Sequence, residues 1–393
     1  MTAKLPIIGS TSSVSDALYA LAHVPCPRVN SRCKSLLGAM LSAGPVHTMD
    51  SGIAAFYLIL EALKTLSPRT EIVLPAYTAG SLVVAVRKAG LKPVLCDVSL
   101  RDYNADEECL SQAVGGNTLA VAAVHMFGIP LGYIETLRGR IPAGVYLIED
   151  CCQAMGSRVK DKQAGSFSDV CFFSFNRGKN LPANNGGCIA ARTSTLEQAI
   201  RNVAATVALP GAFDWCGAFL KNLLFSIGTR PFVYGMASAF AQGFRETAPP
   251  RDLDARQMGN FQSALCLRSL RRADSLFMAR YRNGMELLGG LKGARGLRLP
   301  VIREDLWPVF NRFPILLEDE HRISETRKIL WDKGIETSNM YAKPLHHMFD
   351  LGYGKDDFPN ARYLARHLLT LPVHPGVGSA HIRTIINTLR GIL

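Results

Sequence analysis

Lys179 stands in the run Ser174-Phe175-Asn176-Arg177-Gly178-Lys179-Asn180-Leu181, shortly before the pair Gly186-Gly187. The apolar residues Val170 to Phe173 read as a buried strand ending at Ser174, so the lysine follows a strand end. A lysine amine attacks a carbonyl only when neutral, and burial or a nearby cation favours that form. A second apolar run, Val145 to Glu149, ends in Glu149-Asp150 and leads into Cys151-Cys152-Gln153-Ala154. Ligands of α/β sheets gather at the carboxyl ends of strands. An acid there can hold a proton on a heterocyclic nitrogen, while a lysine forms an imine with an aldehyde. Asp150 also fits a plain helix cap after its strand, and Lys179 a solvated charge.

A third element decides between these readings. Asp50-Ser51-Gly52-Ile53 precedes a helical pattern with Ile53, Phe56, Tyr57, Leu60 and Leu63 on one face. Ser51 and Gly52 at a helix start offer backbone N–H groups and a favourable dipole to an anion. Ser174 can add a hydroxyl. An anion site, a partner for a ring nitrogen and an imine lysine are together what pyridoxal phosphate requires.

The chain resembles the DegT/StrS family of pyridoxal-phosphate enzymes, mostly nucleotide-sugar aminotransferases of fold type I. The likeness runs through Ser51-Gly52, Leu74-Pro75-Ala76-Tyr77-Thr78, His125-Met126-Phe127-Gly128 and Ile148 to Ala154. It continues through Gly165 with Asp169, Ser174-Phe175, Lys179-Asn180-Leu181 and Gly186-Gly187, then Pro344-Leu345-His346, Pro359-Asn360-Ala361 and Leu371-Pro372-Val373-His374-Pro375. The resemblance implies that Lys179 forms an aldimine with the cofactor and shuttles a proton, and that Asp150 faces the pyridine nitrogen. It implies cofactor contacts from Ser51, Gly52, Ile53, Gln153 and Ser174. Substrate contacts are expected from His125, Asn185 and His346, with His125 equally open to a core role. Glutamate as amino donor, a keto-sugar nucleotide as acceptor and a homodimer follow from the same likeness.

The chain also departs from the family pattern. Ala79 replaces an aromatic residue that stacks on the cofactor, with Tyr77 as a substitute or as packing. Asn184-Asn185-Gly186-Gly187 replaces a Gly-Glu-Gly-Gly run, and the partner-subunit asparagine motif is blurred around Met258 to Gln262. Two alternatives remain: a pyridoxamine-dependent sugar dehydratase, against which Lys179 speaks because such members carry histidine there, and a cofactor-binding sensor without turnover.

Alternating strand-like and helical runs predict an α/β fold with a mostly parallel sheet flanked by helices. The predicted strands are Glu71–Pro75, Val94–Val98, Leu119–Val124, Val145–Glu149 and Val170–Ser174, with a helix over Ser81 to Ala89. Residues 1–250 read as a large cofactor-binding domain and 251–393 as a smaller C-terminal α/β domain closed by a helix through Ile382, Ile385, Ile386 and Leu389. The linker falls at Thr247 to Arg251. With 393 residues the chain buries a large core. Its net charge of +12 suits phosphorylated ligands, but the basic residues are dispersed and match no nucleic-acid motif, so nucleic acid is not expected as a partner. Ten scattered cysteines without metal spacing point to a reduced cytoplasmic setting and no metal. The first residues, Met1 to Ser13, lack the pattern of a signal peptide. Residues 212–244 form an apolar helical insertion, with Cys216, Phe219, Leu220, Leu223, Leu224 and Ile227 on one stripe. It reads as packing on a dimer or roofing the site. The sharper reading is a peripheral membrane contact anchored by Trp215 and Phe219.

Overall fold

The computed structural model describes residues 3–10, 12–237 and 249–392. Its centre is a seven-stranded sheet. The strands are β1 (Val46–Met49), β2 (Glu71–Pro75), β3 (Lys92–Cys96), β4 (Thr118–Val124), β5 (Tyr146–Asp150), β6 (Val170–Ser174) and β7 (Gly187–Ala191). They lie in the order β1-β7-β6-β5-β4-β2-β3. Strands β3, β2, β4, β5 and β6 run parallel, while β7 is antiparallel to both β6 and β1. Parallel strands covered by helices on both faces need apolar residues on both sides. β4 meets this demand with Thr-Leu-Ala-Val-Ala-Ala-Val, every residue of which is buried.

The five predicted strands all form. The second begins at Lys92 rather than Val94, because Pro93 pairs opposite Ile72 in a parallel ladder. β1 and β7 are additions: both are short and rich in small or polar residues, so their sequence carries little strand signal. Their register matters for the site. Gly187 is paired with Met49 on one side and with Ser174 on the other, which brings the segment after β1 to the end of β6. A Cβ on Gly187 would lie 2.6 Å from the Ser51 carbonyl oxygen and 2.7 Å from that of Phe173. Only glycine permits this approach.

The Gly52–Lys64 helix packs across β1, β6 and β7, and its Phe56 stacks on Phe172 at 5.1 Å between ring centroids. Burying each such side chain contributes about 1.5–3 kcal/mol. Beyond the large sheet, Phe313–Leu317 forms the middle of a three-stranded antiparallel sheet between Leu297–Arg298 and Leu368–Leu371. The Ser379–Ile392 helix buries Ile382, Ile385 and Leu389. The Asn260–Leu270 helix, which composition groups with the second domain, packs on the N-terminal helices Val14–Ala22 and Val29–Met40.

The insertion is helical over Asp214–Gly228 and Pro231–Ala237, and its residues 238–244, with Thr247 and Ala248 of the linker, lie outside the described residues. The first helix is mounted with its polar side inward. Asn222 and Ser226 are buried and donate to the Ser12 hydroxyl and carbonyl oxygens. Phe213, Leu220, Leu224 and Ile227 are exposed. Trp215 and Phe219, expected to face lipid, are instead half-buried, and Phe219 packs edge-on against Phe261. No helix among the described residues is long and apolar enough to cross a membrane.

Candidate active site

A cavity of about 400 Å³ opens over the carboxyl ends of β1, β2, β5 and β6. Lys179 reaches its wall from the turn after β6, where its N–H donates to the Asn176 carbonyl. The turn is held from two sides. Arg280, buried in the Ala273–Leu291 helix, donates to the carbonyls of Gly178 and Lys179 and to those of Phe310 and Asn311. The Asn311 amide donates to Gly178 as well, at 2.6 Å. Burial pushes the Arg280 pKa down to about 10, so the guanidinium stays charged at neutral pH and its hydrogen bonds are charge-assisted.

Asp150 ends β5, buried at the cavity floor. Its Oδ1 accepts from the Cys152 N–H at 2.9 Å. Burial pushes its pKa up, opposed by that hydrogen bond and by the Lys179 charge. A carboxylate in this setting is stabilised by a cationic partner such as a protonated ring nitrogen. Ser51 caps the Gly52–Lys64 helix by accepting from the Ala54 N–H, and the helix start faces the cavity through Ser51, Gly52 and Ile53. A Cβ on Gly52 would sit 2.7 Å from the Ser174 Cβ and 3.1 Å from the Cys152 sulfur, so the glycine keeps a cradle open between helix start and strand end. A helix N-terminus, a hydroxyl and a small hollow suit a phosphate. Asn185 lines the same cavity.

Gln153 also borders the cavity, but its side chain is engaged: Oε1 accepts from the Phe127 N–H, and Nε2 donates to the Met126 sulfur. Asn180 fixes the Gln153 backbone by donating to its carbonyl and to those of Met155 and Val309.

Three predicted residues stand apart from the cavity wall. Tyr77 is fully buried, and its hydroxyl donates to the Tyr341 and Asn339 carbonyls, so it packs rather than stacks on a ligand. His125 is fully buried. Its Nδ1 accepts from the Leu131 N–H, which leaves Nε2 to donate to Glu149 at 3.0 Å. Burial raises the Glu149 pKa, but the bonds from His125 and the N–H groups of Gly165 and Phe167 outweigh it and leave the pKa lowered. With Cys151 these two residues bring potential metal ligands within 4.8 Å of one another, yet His125 and Glu149 already satisfy each other. His346 is buried against His347 and Phe358, and its neighbour Leu345 donates its N–H to the Ala76 carbonyl.

Sequence reasoning missed wall residues from the C-terminal half, among them Asn311, Arg312 and Tyr341. Tyr341 precedes Pro344-Leu345-His346 by three residues, so that motif marked the right loop but the wrong side chain. Ala79 leaves room where an aromatic was expected, and Tyr341 and Phe172 are the aromatic residues of the wall among the described residues.

A family model of DegT/DnrJ/EryC1/StrS aminotransferases matches residues 35–390. The chain belongs to that family. Its class is that of pyridoxal-phosphate-dependent aminotransferases, and the fold is theirs. The aminotransferase is 27% identical over 349 residues to the dTDP-3-amino-3,4,6-trideoxy-alpha-D-glucose transaminase of Streptomyces venezuelae, covering 87% of this chain and 81% of that protein. It is also 27% identical to a dTDP-4-dehydro-2,6-dideoxy-D-glucose 3-dehydratase of Saccharopolyspora spinosa, over 69% of this chain and 58% of the other. In structure it resembles the sugar aminotransferase CalS13 of Micromonospora echinospora, with a TM-score of 0.80 at 18% identity over 99% of this chain and 100% of that one.

Proposed function

We propose that the aminotransferase holds pyridoxal phosphate in the β1–β2–β5–β6 cavity and moves an amino group from an amino acid, glutamate by family likeness, to a keto group of a nucleotide-linked sugar. The observation that carries this reading is the convergence of Lys179, Asp150 and the Gly52 cradle on one cavity from three separate strand ends. When bound, pyridoxal phosphate supplies an electron sink for negative charge next to the transferred nitrogen.

The chain supplies the rest. The helix start at Ser51, Gly52 and Ile53, with the Ser174 hydroxyl, holds the phosphate. Asp150 holds the proton on the ring nitrogen, which its buried carboxylate does without competition from water. Lys179 Nζ is the amine that would hold the cofactor's aldehyde, and once free it would be placed to accept and return a proton beside the transferred nitrogen. Arg280 and Asn311 fix the backbone from which that amine swings. Tyr341 and Phe172 exclude water from the wall.

The test is direct. Borohydride reduction of purified protein loaded with pyridoxal phosphate, followed by peptide mass spectrometry, is expected to mark Lys179. L-Glutamate is then expected to bleach the bound-cofactor absorbance, and a panel of keto-sugar nucleotides to restore it with gain of an amine by mass. Absorbance unmoved by every amino donor tried would end the transaminase reading.

A further inference from the structure

A helix that only packs on a protein turns its leucines inward. The Asp214–Gly228 helix does the reverse. Asn222 and Ser226 bond inward to Ser12, and Thr229, just past the helix end, accepts from the Ser10 N–H. Phe213, Leu220, Leu224 and Ile227 follow one another at seven, four and three residues and form one outward stripe. The next helix, Pro231–Ala237, packs on the first and exposes Phe232 and Met236, four residues apart. Phe213 is 78% exposed and Phe232 63%. Large apolar side chains grouped in this way mark a surface that meets a partner.

The stripe lies beside the cavity. The Asn184 amide donates to the Ala218 carbonyl at 2.9 Å, and the Arg177 guanidinium sits 5.3 Å over the Phe225 ring. Arg177 and Asn185 both line the cavity, so the helix is clamped to the loop that carries Lys179.

Charge selects the partner. Lys221 and Arg230 are exposed and, among the described residues, form no ion pair. Asp214, the one acid of residues 207–237, is engaged by the Gly211 N–H and by Arg256. A second copy on a two-fold axis brings the same patch against itself, which sets cations against cations with no free acid between them. A bilayer with anionic headgroups offers hydrocarbon to the stripe and negative charge to Lys221 and Arg230. The helix has 15 residues and rises about 22 Å, short of the roughly 30 Å hydrocarbon core, so it suits lying on a membrane and not crossing one.

We propose that the outward faces of these two helices dock the enzyme on a bilayer that carries anionic lipid, with Phe213, Leu220, Leu224, Ile227, Phe232 and Met236 entering the headgroup layer. Docking holds the Arg177 side of the cavity mouth about one helix diameter, roughly 10 Å, from the membrane surface. The proposal does not rest on the transaminase reading.

The experiment uses the full chain loaded with pyridoxal phosphate, as wild type, Leu220→Ser/Leu224→Ser and Lys221→Gln/Arg230→Gln. Partitioning is read by density-gradient flotation with vesicles of phosphatidylcholine alone and with phosphatidylglycerol as one third of the lipid. Light scattering without lipid gives the oligomeric state, and a thermal melt the fold. Wild type is expected to float with the anionic vesicles and to bind the neutral ones about 10-fold more weakly. The leucine variant is expected to lose at least about 10-fold on anionic vesicles, because two apolar side chains no longer enter the layer. The charge variant is expected to bind both vesicles at the neutral level, and both variants to keep the wild-type melt and oligomeric state. Four results overturn the proposal: no flotation of wild type, equal binding of wild type to both vesicles, a leucine variant that floats like wild type, or a leucine variant in a lower oligomeric state, which would make the stripe a contact between copies.

Discussion

The cavity floor and the insertion helix follow opposite rules. Around β4, β5 and β6, apolar side chains fill both faces of the sheet and polar groups appear only where strands end. On the Asp214–Gly228 helix the polar residues Asn222 and Ser226 are buried, and Leu220 and Leu224 face outward, 54% and 62% exposed. Periodicity is therefore informative to different degrees in the two regions. In the sheet, burial on both faces leaves one solution for an apolar run. On the helix, a stripe at helical spacing proves the helix but not which side is inward, because a few hydrogen bonds to Ser12 suffice to anchor the polar face.

Five measurements test this contrast. Lys179→Ala is expected to slow amino transfer about 10⁴-fold while leaving the folded state intact, read as single-turnover rates beside a thermal melt. Arg280→Met strips four carbonyls of their donor and is expected to cost about 4 kcal/mol in urea titration. A loss below about 1 kcal/mol would show that the lysine turn holds itself.

Acidity probes the same buried region. Burial lowers the pKa of His374 to about 4, its Nε2 donating to the Pro6 carbonyl. The unfolded chain takes up this proton near pH 6.5 and the folded chain only near 4, so its contribution is complete above 6.5 and lost as pH falls to 4, about 3 kcal/mol in all. Asp50 works the other way, because burial raises its pKa to about 6 and its effect is to destabilise as pH rises from 3.8 to 6. Denaturant titrations at pH 7.5 and 5 are expected to show less acid loss in His374→Gln than in wild type. Equal slopes would clear His374.

Gly52→Ala, which fills the cradle against Ser174, is expected to weaken pyridoxal phosphate binding about 100-fold, roughly 2.7 kcal/mol, by equilibrium dialysis. At the far end, Leu224→Ser on the insertion is expected to shift stability by less than about 0.5 kcal/mol. A loss as large as that for a cavity residue would mean that this apolar face is covered in solution, and the contrast would dissolve.

Much of the site was legible because its residues carry local signals. Lys179, Asp150 and Ser174 each follow an apolar run, and Ser51-Gly52 opens a helix. Tyr77 and His346 misled for a shared reason: each lies in a recognisable string, but only tertiary packing decides that Tyr77 turns toward Tyr341 and His346 toward Phe358. Arg312 gave no signal, since a lone arginine before Phe-Pro-Ile-Leu-Leu reads as a solvated strand start. β1 and β7 were invisible because pairing with neighbours, and not their own composition, makes them strands.

The Arg280 clasp carries a mechanical consequence. It joins the backbone at Gly178–Lys179 to that at Phe310–Asn311, and Arg312 is the next residue along. The swinging amine and the Arg312 guanidinium thus share one rigid frame. Any closure over a substrate must pivot elsewhere, carrying both together, so the distance between amine and guanidinium stays the same as the cavity shuts.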